Sequence, residues 1–465
     1  MPDAYTLRSE ARFGSCLRVR DRAGNSLSLL DVLVVLLVAI AMCASADAAG
    51  GQEIRTYQRL EPAQARSEAV FSQISHVREL RDGGVMVADS GGRWVALMDP
   101  ALATSSVIVE NNPFGNSGRG RGLIPWRGDS TLLIDLPNRA ALVVDAFGDI
   151  RREIAIPTVQ LAQCLLGGDT GTPTVDASGR VICQMPLASV NASGSSRSNW
   201  VGLQVADSSP LIRVDIASWA IDTVALLRTP RIRLVVLDYG EGRYASAPVL
   251  VPLHVADDWA RLDDGTLAIV RGADYRVDRI TLDGAQLTSA LLPFLAQPLT
   301  AARKTAMLDS MRAALAALRA AHAPAGALDP PWRIVTGTVD HTQIRAMTIV
   351  LPNAARDPAF MAARRARELS PLVIGTPEDL PDFVPPFRPG SVRADGEGHL
   401  WIPTLQVVDG SVVYDVVRAA DMRLTHVLVP AGQTIVGFGA GGAVYLASGE
   451  PGAMRLERAR IPFER

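Results

Sequence analysis

Lysine is nearly missing from this chain. Of 46 basic residues in 465, one is lysine, Lys304, and the other 45 are arginine. A phosphate-binding P-loop needs a lysine beside its glycines, and Schiff-base chemistry needs a lysine nucleophile. Lys304 stands in Leu299-Thr-Ala-Ala-Arg-Lys-Thr305, with no glycine nearby, which argues against both. A surplus of positive charge is also lacking: 46 basic against 48 acidic residues leave a net charge of -2, so no nucleic-acid partner is expected. The six histidines, at 76, 254, 322, 341, 399 and 426, are scattered without metal-ligand spacing. No G-x-S-x-G nucleophile elbow occurs. Aromatics are 5% of the chain, but hydrophobics at 48% with 20% charged residues provide an ample core.

The apolar run Val32–Ala44 is thirteen residues long, short of the roughly 20 a spanning helix needs. Arg8, Arg12, Arg18, Arg20 and Arg22 precede it, and Ala44-Ser-Ala-Asp-Ala-Ala49 follows. This is the pattern of a secretory signal over residues 1–46, cleaved after Ala46. Cys43 leaves open a lipid anchor, although Met42 before it is not small. A periplasmic or secreted location follows, with the membrane involved only in export or through that anchor. Removing this segment leaves Cys164 and Cys183 out of four cysteines. In an oxidising compartment the two read as one disulfide, against the alternative of two buried free thiols.

The remainder repeats. Asp89, Arg93 and Asp99 in one segment align with Asp135, Arg139 and Asp145 in the next, as D-x3-R-x5-D at a spacing of 46. Weaker copies start near Val175, Arg261, Arg393 and Gly439, making six units of short strands and Gly/Asp turns. The pattern predicts an all-β, six-bladed β-propeller over residues 52–462, with Glu53–Tyr57 available to close the ring. At about 40–45 residues per blade, six blades need roughly 260 residues. The excess is assigned to Ala188–Asp207 and to a helical insertion, residues 298–386, between blades four and five. There Met307, Met311, Leu315, Leu318 and Ala321 form a helical stripe over Thr300–His322. Asp357 and Pro358 mark the start of a second helix that ends before Pro371. Gly437-Phe-Gly-Ala-Gly-Gly442 matches G-x-G-x-x-G but leads into a strand, so it reads as a hairpin turn rather than a dinucleotide site.

The segment from Asp82-Gly-Gly-Val-Met-Val-Ala-Asp89 through Arg93 to Trp94-Val-Ala-Leu-Met-Asp99 resembles a blade of NHL-type propellers. Pro381-Asp-Phe-Val-Pro-Pro-Phe387, leading to Leu400-Trp401, is similar to a segment of exported bacterial six-bladed propellers. Gly115–Gly122 matches the position of the NHL inter-blade glycine loop but departs from its sequence. The resemblance covers about residues 60–462; it implies fold and export, and it implies no chemistry.

The repeated Asp89, Arg93, Asp135 and Arg139 are the ligand-binding candidates. Their carboxylates could converge on Ca2+ or another divalent ion, or together with the guanidiniums grip a polar ligand. The bland reading is that they fix blade turns. No cofactor is predicted and catalytic residues are unknown. Function is expected to be non-catalytic binding of a protein or small polar ligand by a monomer. The alternative is a metal-dependent propeller enzyme of lyase or lactone hydrolase type. With Lys304 in the insertion, the propeller body has no lysine, so cations in its channel are Arg or His.

Overall fold

Strands sandwiched between neighbouring sheets read as continuous apolar runs, because both of their faces are covered. Val85–Asp89 and Thr131–Asp135 are buried at every residue, as is Val181–Gln184. Outer strands such as Ile150–Ala155 and Gln286–Leu291 are mostly exposed. The computed structural model describes residues 56–461, apart from 93, 110–121, 137, 168–169, 187–206, 232, 239–243, 323–332 and 335–371. The proposed signal segment with Cys43, nearly all of the glycine loop at 115–122 and of Ala188–Asp207, and the second predicted helix lie outside the described residues.

Seven sheets are present among the described residues, and six of them form the ring. In blade one the strands are Ile74–Glu79, Val85–Asp89, Trp94–Met98 and Ser105–Val109, hydrogen-bonded in that order. Blades two (Ile124–Ala155), three (Thr174–Arg228) and four (Asp258–Leu291) repeat this antiparallel meander. Blade five runs from Arg393 to Pro430. Blade six takes three strands from Gln433–Arg460 and its outermost strand, Ala65–Arg66, from the other end of the chain. The expected closing strand was Glu53–Tyr57; the ring instead closes through Ala65–Arg66. Tyr57–Arg59 adds in parallel to the outer strand of blade five. Apolar cores continue from blade to blade: Ile182 and Leu211 of blade three pack with Trp259 and Ile269 of blade four.

The first hairpin of four blades turns at Gly83, Gly179, Gly265 and Gly398, all with φ of 83–85°. That left-handed conformation is open to glycine at no steric cost, which is why Asp and Gly recur in the sequence. Gly441 and Gly442 likewise turn a hairpin at φ 64° and 75°.

The seventh sheet lies outside the ring and corrects the assignment of inserted segments. Its hairpin, Leu234–Asp238 with Tyr244–Leu250, is a further insertion between blades three and four. It pairs with Arg333–Ile334 and Val373–Ile374 from the segment between blades four and five. Helix α2, Ala301–His322, covers this sheet as its spacing predicts. Its buried positions are Lys304, Leu308, Met311 and Leu315, with Met307 at the margin. Lys304 reaches the Leu380 carbonyl at 3.1 Å and the Asp382 carboxylate at 2.9 Å.

Between blades two and three, Thr158 caps helix α1, Val159–Leu166, by accepting the Leu161 N–H. Buried Cys164 of α1 is bonded to Cys183 on the second strand of blade three, with Cα atoms 5.4 Å apart.

Candidate functional site

In each meander, the turns between second and third strands and the approaches to the innermost strands share one face of the ring, here called the front. The repeated motif lies on this face. Buried Asp89 accepts the N–H groups of Gln73 and Gly92, both at 2.8 Å, and of Ser72 at 2.7 Å. Asp135 accepts from the Asn138 backbone at 3.0 Å and its amide at 2.8 Å. Arg139 is exposed and holds the turn at φ 51°. Arg93 is outside the described residues. Each motif carboxylate is thus bonded within its own blade, and no described contact joins Asp89 to Asp135. Asp99 and Asp145 perform the same task at the next turn, accepting from Ala103 and from Phe147 and Asp149.

The front-face side chains that do link several blades are others. Asp258, fully buried, accepts five backbone N–H groups: Gly171 at 2.6 Å, Trp259 at 2.9 Å, Gly390 at 2.7 Å, and Ser391 and Val392 at 3.0 Å. It ties the approaches to blades three and five to blade four. Arg393, first on the inner strand of blade five, donates to the Ile435 carbonyl of blade six at 3.3 Å. It also donates to the Thr172 hydroxyl at 3.1 Å, just before blade three. Blade four separates blade five from blade three, so this bond crosses the inside of the ring. Arg393 therefore stands in the central channel.

Arg388, on the approach to the same inner strand, donates its backbone N–H to the Pro403 carbonyl at 3.1 Å, and Tyr414 is buried in the core between blades five and six. Burial lowers the pKa of both arginines, and the nearby Tyr414 partly offsets this. Burial also raises the Tyr414 pKa, against the pull of Arg393 and Arg388. Arg388 nevertheless keeps ample contact with solvent and Arg393 keeps some. Arg388 has no ion pair or side-chain hydrogen bond to any described residue. Trp259, adjacent to Asp258 and fully buried, leaves its indole N–H without a hydrogen-bond partner among the described residues.

Sequence reasoning missed Asp258 and Arg393. Their only sequence signal is register: Asp258 and Arg393 each open an innermost strand. Among the described residues, no three His, Cys, Asp or Glu side chains are grouped to hold a metal ion.

On the opposite face, Asp395 accepts backbone N–H groups from Glu397 and His399 at 2.9 Å and the Trp401 indole at 3.0 Å. The His399 Nδ1 lies 3.0 Å from Oδ2, the oxygen that also accepts the Trp401 indole. The hydrogen bond that His399 donates to Asp395 raises the His399 pKa above 6.5. Burial alone would raise that of Asp395, but hydrogen bonds from His399 and Trp401 outweigh it and bring it below 3.8. The histidine's contribution to stability is complete below pH 6.5 and is lost as pH rises through its raised folded value. The aspartate's contribution is present above pH 3.8 and is lost as pH falls through its depressed value. Thermal melts from pH 5.5 to 8.5 are expected to show wild type losing stability relative to His399→Gln; parallel curves would count against the pair.

With the ring and channel in hand, the chain can be set beside known proteins. No known protein family matches it, and no curated protein matches it. Among solved structures it is similar to a gluconolactonase from Xanthomonas campestris, at 11% identity and a TM-score of 0.38, over 87% of this chain and 99% of that one. It is also similar to the virginiamycin B lyase of Staphylococcus aureus, at 10% identity and a TM-score of 0.37, over 84% and 95%. A luciferin-regenerating enzyme gives 8% identity and a TM-score of 0.37, over 85% and 93%. The class of this protein, a six-bladed β-propeller, is defined by its own sheets.

Proposed function

We propose that this protein is an exported, non-catalytic binding module that takes a small polar ligand in its central channel from the front face. The observation that carries this reading is Arg393, which reaches across the ring while retaining solvent contact and N–H groups free of described partners. Export is part of the proposal: it rests on the signal-like first 46 residues, and the disulfide suits an oxidising compartment. A ligand bound only by the folded state at 100 times its Kd stabilises by about 2.7 kcal/mol. Screening neutral and charged small metabolites by thermal shift is expected to give compounds that raise the Tm of wild type and not of Arg393→Gln. Full retention of every shift by a folded Arg393→Gln would remove the channel from consideration.

A second reading is a metal-dependent propeller enzyme of lyase or lactone hydrolase type, the kind of activity named for two of the similar structures. It predicts a stoichiometric divalent ion in the purified protein, removable by chelator and required for turnover.

A further inference from the structure

The blades do not leave their outer edges in the same condition. A free edge strand offers unpaired N–H and carbonyl groups to any other strand, and proteins guard it with charge or a cover. Blade five's edge is covered by the chain's own Tyr57–Arg59. The outer strand of blade two carries Arg151, Arg152 and Glu153, and that of blade three carries Asp222 and Arg228. Blade six ends in the two-residue strand Ala65–Arg66, which carries Arg66. Blade one's Ser105–Val109 is uncharged, but Val109 is buried and Gly148 of blade two lies against Ile108. Blade four has neither charge nor cover among the described residues. Its outer strand, Gln286-Leu-Thr-Ser-Ala-Leu291, is exposed at five of six positions and ends its sheet. A bulge leaves Leu287 without an opposite residue, and Thr288–Leu291 pair regularly. Leu287 is 49% exposed, and Leu291 and nearby Leu295 are each 71% exposed. Exposed leucines beside open backbone groups mark an edge that takes a further strand.

The occupant that fits is a second copy of this chain. In an isologous junction a strand lies antiparallel to itself, so a charge near its centre meets its own like. Gln286–Leu291 brings no charge to such a junction, whereas Arg151 and Arg152 would repel across one at blade two. Self-pairing also joins two blades into one continuous sheet and closes both open edges at once. We propose that the protein forms a two-fold dimer through the outer strand of blade four, with Leu287, Leu291 and Leu295 of each copy covered at the junction. This departs from the monomer expected from the sequence. The interface is small, so association is weak, in the micromolar range.

Sedimentation equilibrium of the purified protein from low to high micromolar concentration tests this. Wild type is expected to pass from monomer to dimer and go no further. Thr288→Lys, at an exposed position, should weaken the dimer at least about tenfold because two lysines then face each other. Its urea midpoint should match wild type. Thr288→Glu should behave likewise, and an equal mixture of the two variants should recover a heterodimer. Leu291→Lys makes the same test should Thr288→Lys not fold. Ser106→Lys, on the outer strand of blade one, should dimerise as wild type. Wild type that stays monomeric throughout overturns the dimer and leaves the edge to a strand of another protein. A dimer that survives Thr288→Lys, or is lost equally in Ser106→Lys, overturns the assigned strand. An open series of larger species overturns the two-fold junction.

Discussion

Replacing Asp258 by alanine is expected to lower stability by more than about 4 kcal/mol, an exceptional loss for one residue. The carboxylate accepts N–H groups from the approaches to blades three and five as well as from its own blade. Each buried N–H left unmatched costs about 1–3 kcal/mol. Asparagine should be nearly as damaging. Oδ1 accepts two N–H groups and Oδ2 three, so an amide NH2 in either place faces at least two donors. Urea unfolding measures the effect through the midpoint at constant slope. Variants within about 1 kcal/mol of wild type would mean that blade packing alone holds these segments.

Removing the disulfide is the second large change. Cys164 and Cys183 are 19 residues apart and both fully buried. Closing a loop of that size stabilises by about 3 kcal/mol, chiefly by restricting the unfolded chain. The paired change Cys164→Ala and Cys183→Ala keeps small apolar side chains in the core, so most of its cost should be the lost cross-link. Reductant should lower the Tm of wild type and leave the double variant unmoved. Two free thiols in the denatured, unreduced protein would contradict the bond.

What could be read in advance follows from periodicity. The spacing of 46 between Asp89 and Asp135 is the blade repeat, and both residues lie where second strands end. The stripe through Met311 and Leu315 marked α2 because a helix with one covered face must repeat its apolar side chains every three or four residues. The seventh sheet went unread for the opposite reason. Two of its strands, Arg333–Ile334 and Val373–Ile374, are two residues each, too short to carry a pattern. Their partners lie in the other insertion. The same holds for Ala65–Arg66, whose identity as the closing strand depends on register with Glu457 and Arg458.

The candidate site divides along the same line. A repeated motif is visible because it repeats, and repetition marks what each blade needs for itself, here a capped turn. A channel site is assembled once, from positions that differ between blades. By itself the sequence determined the ring, the helix on its insertion, the cysteine pair and the rule that channel cations must be arginine or histidine. Only the tertiary structure decided which arginine stands there. Arg393 resembles 44 other arginines until closure of the ring brings blades three, five and six around a common axis. There its bonds to the Thr172 hydroxyl and the Ile435 carbonyl set it apart.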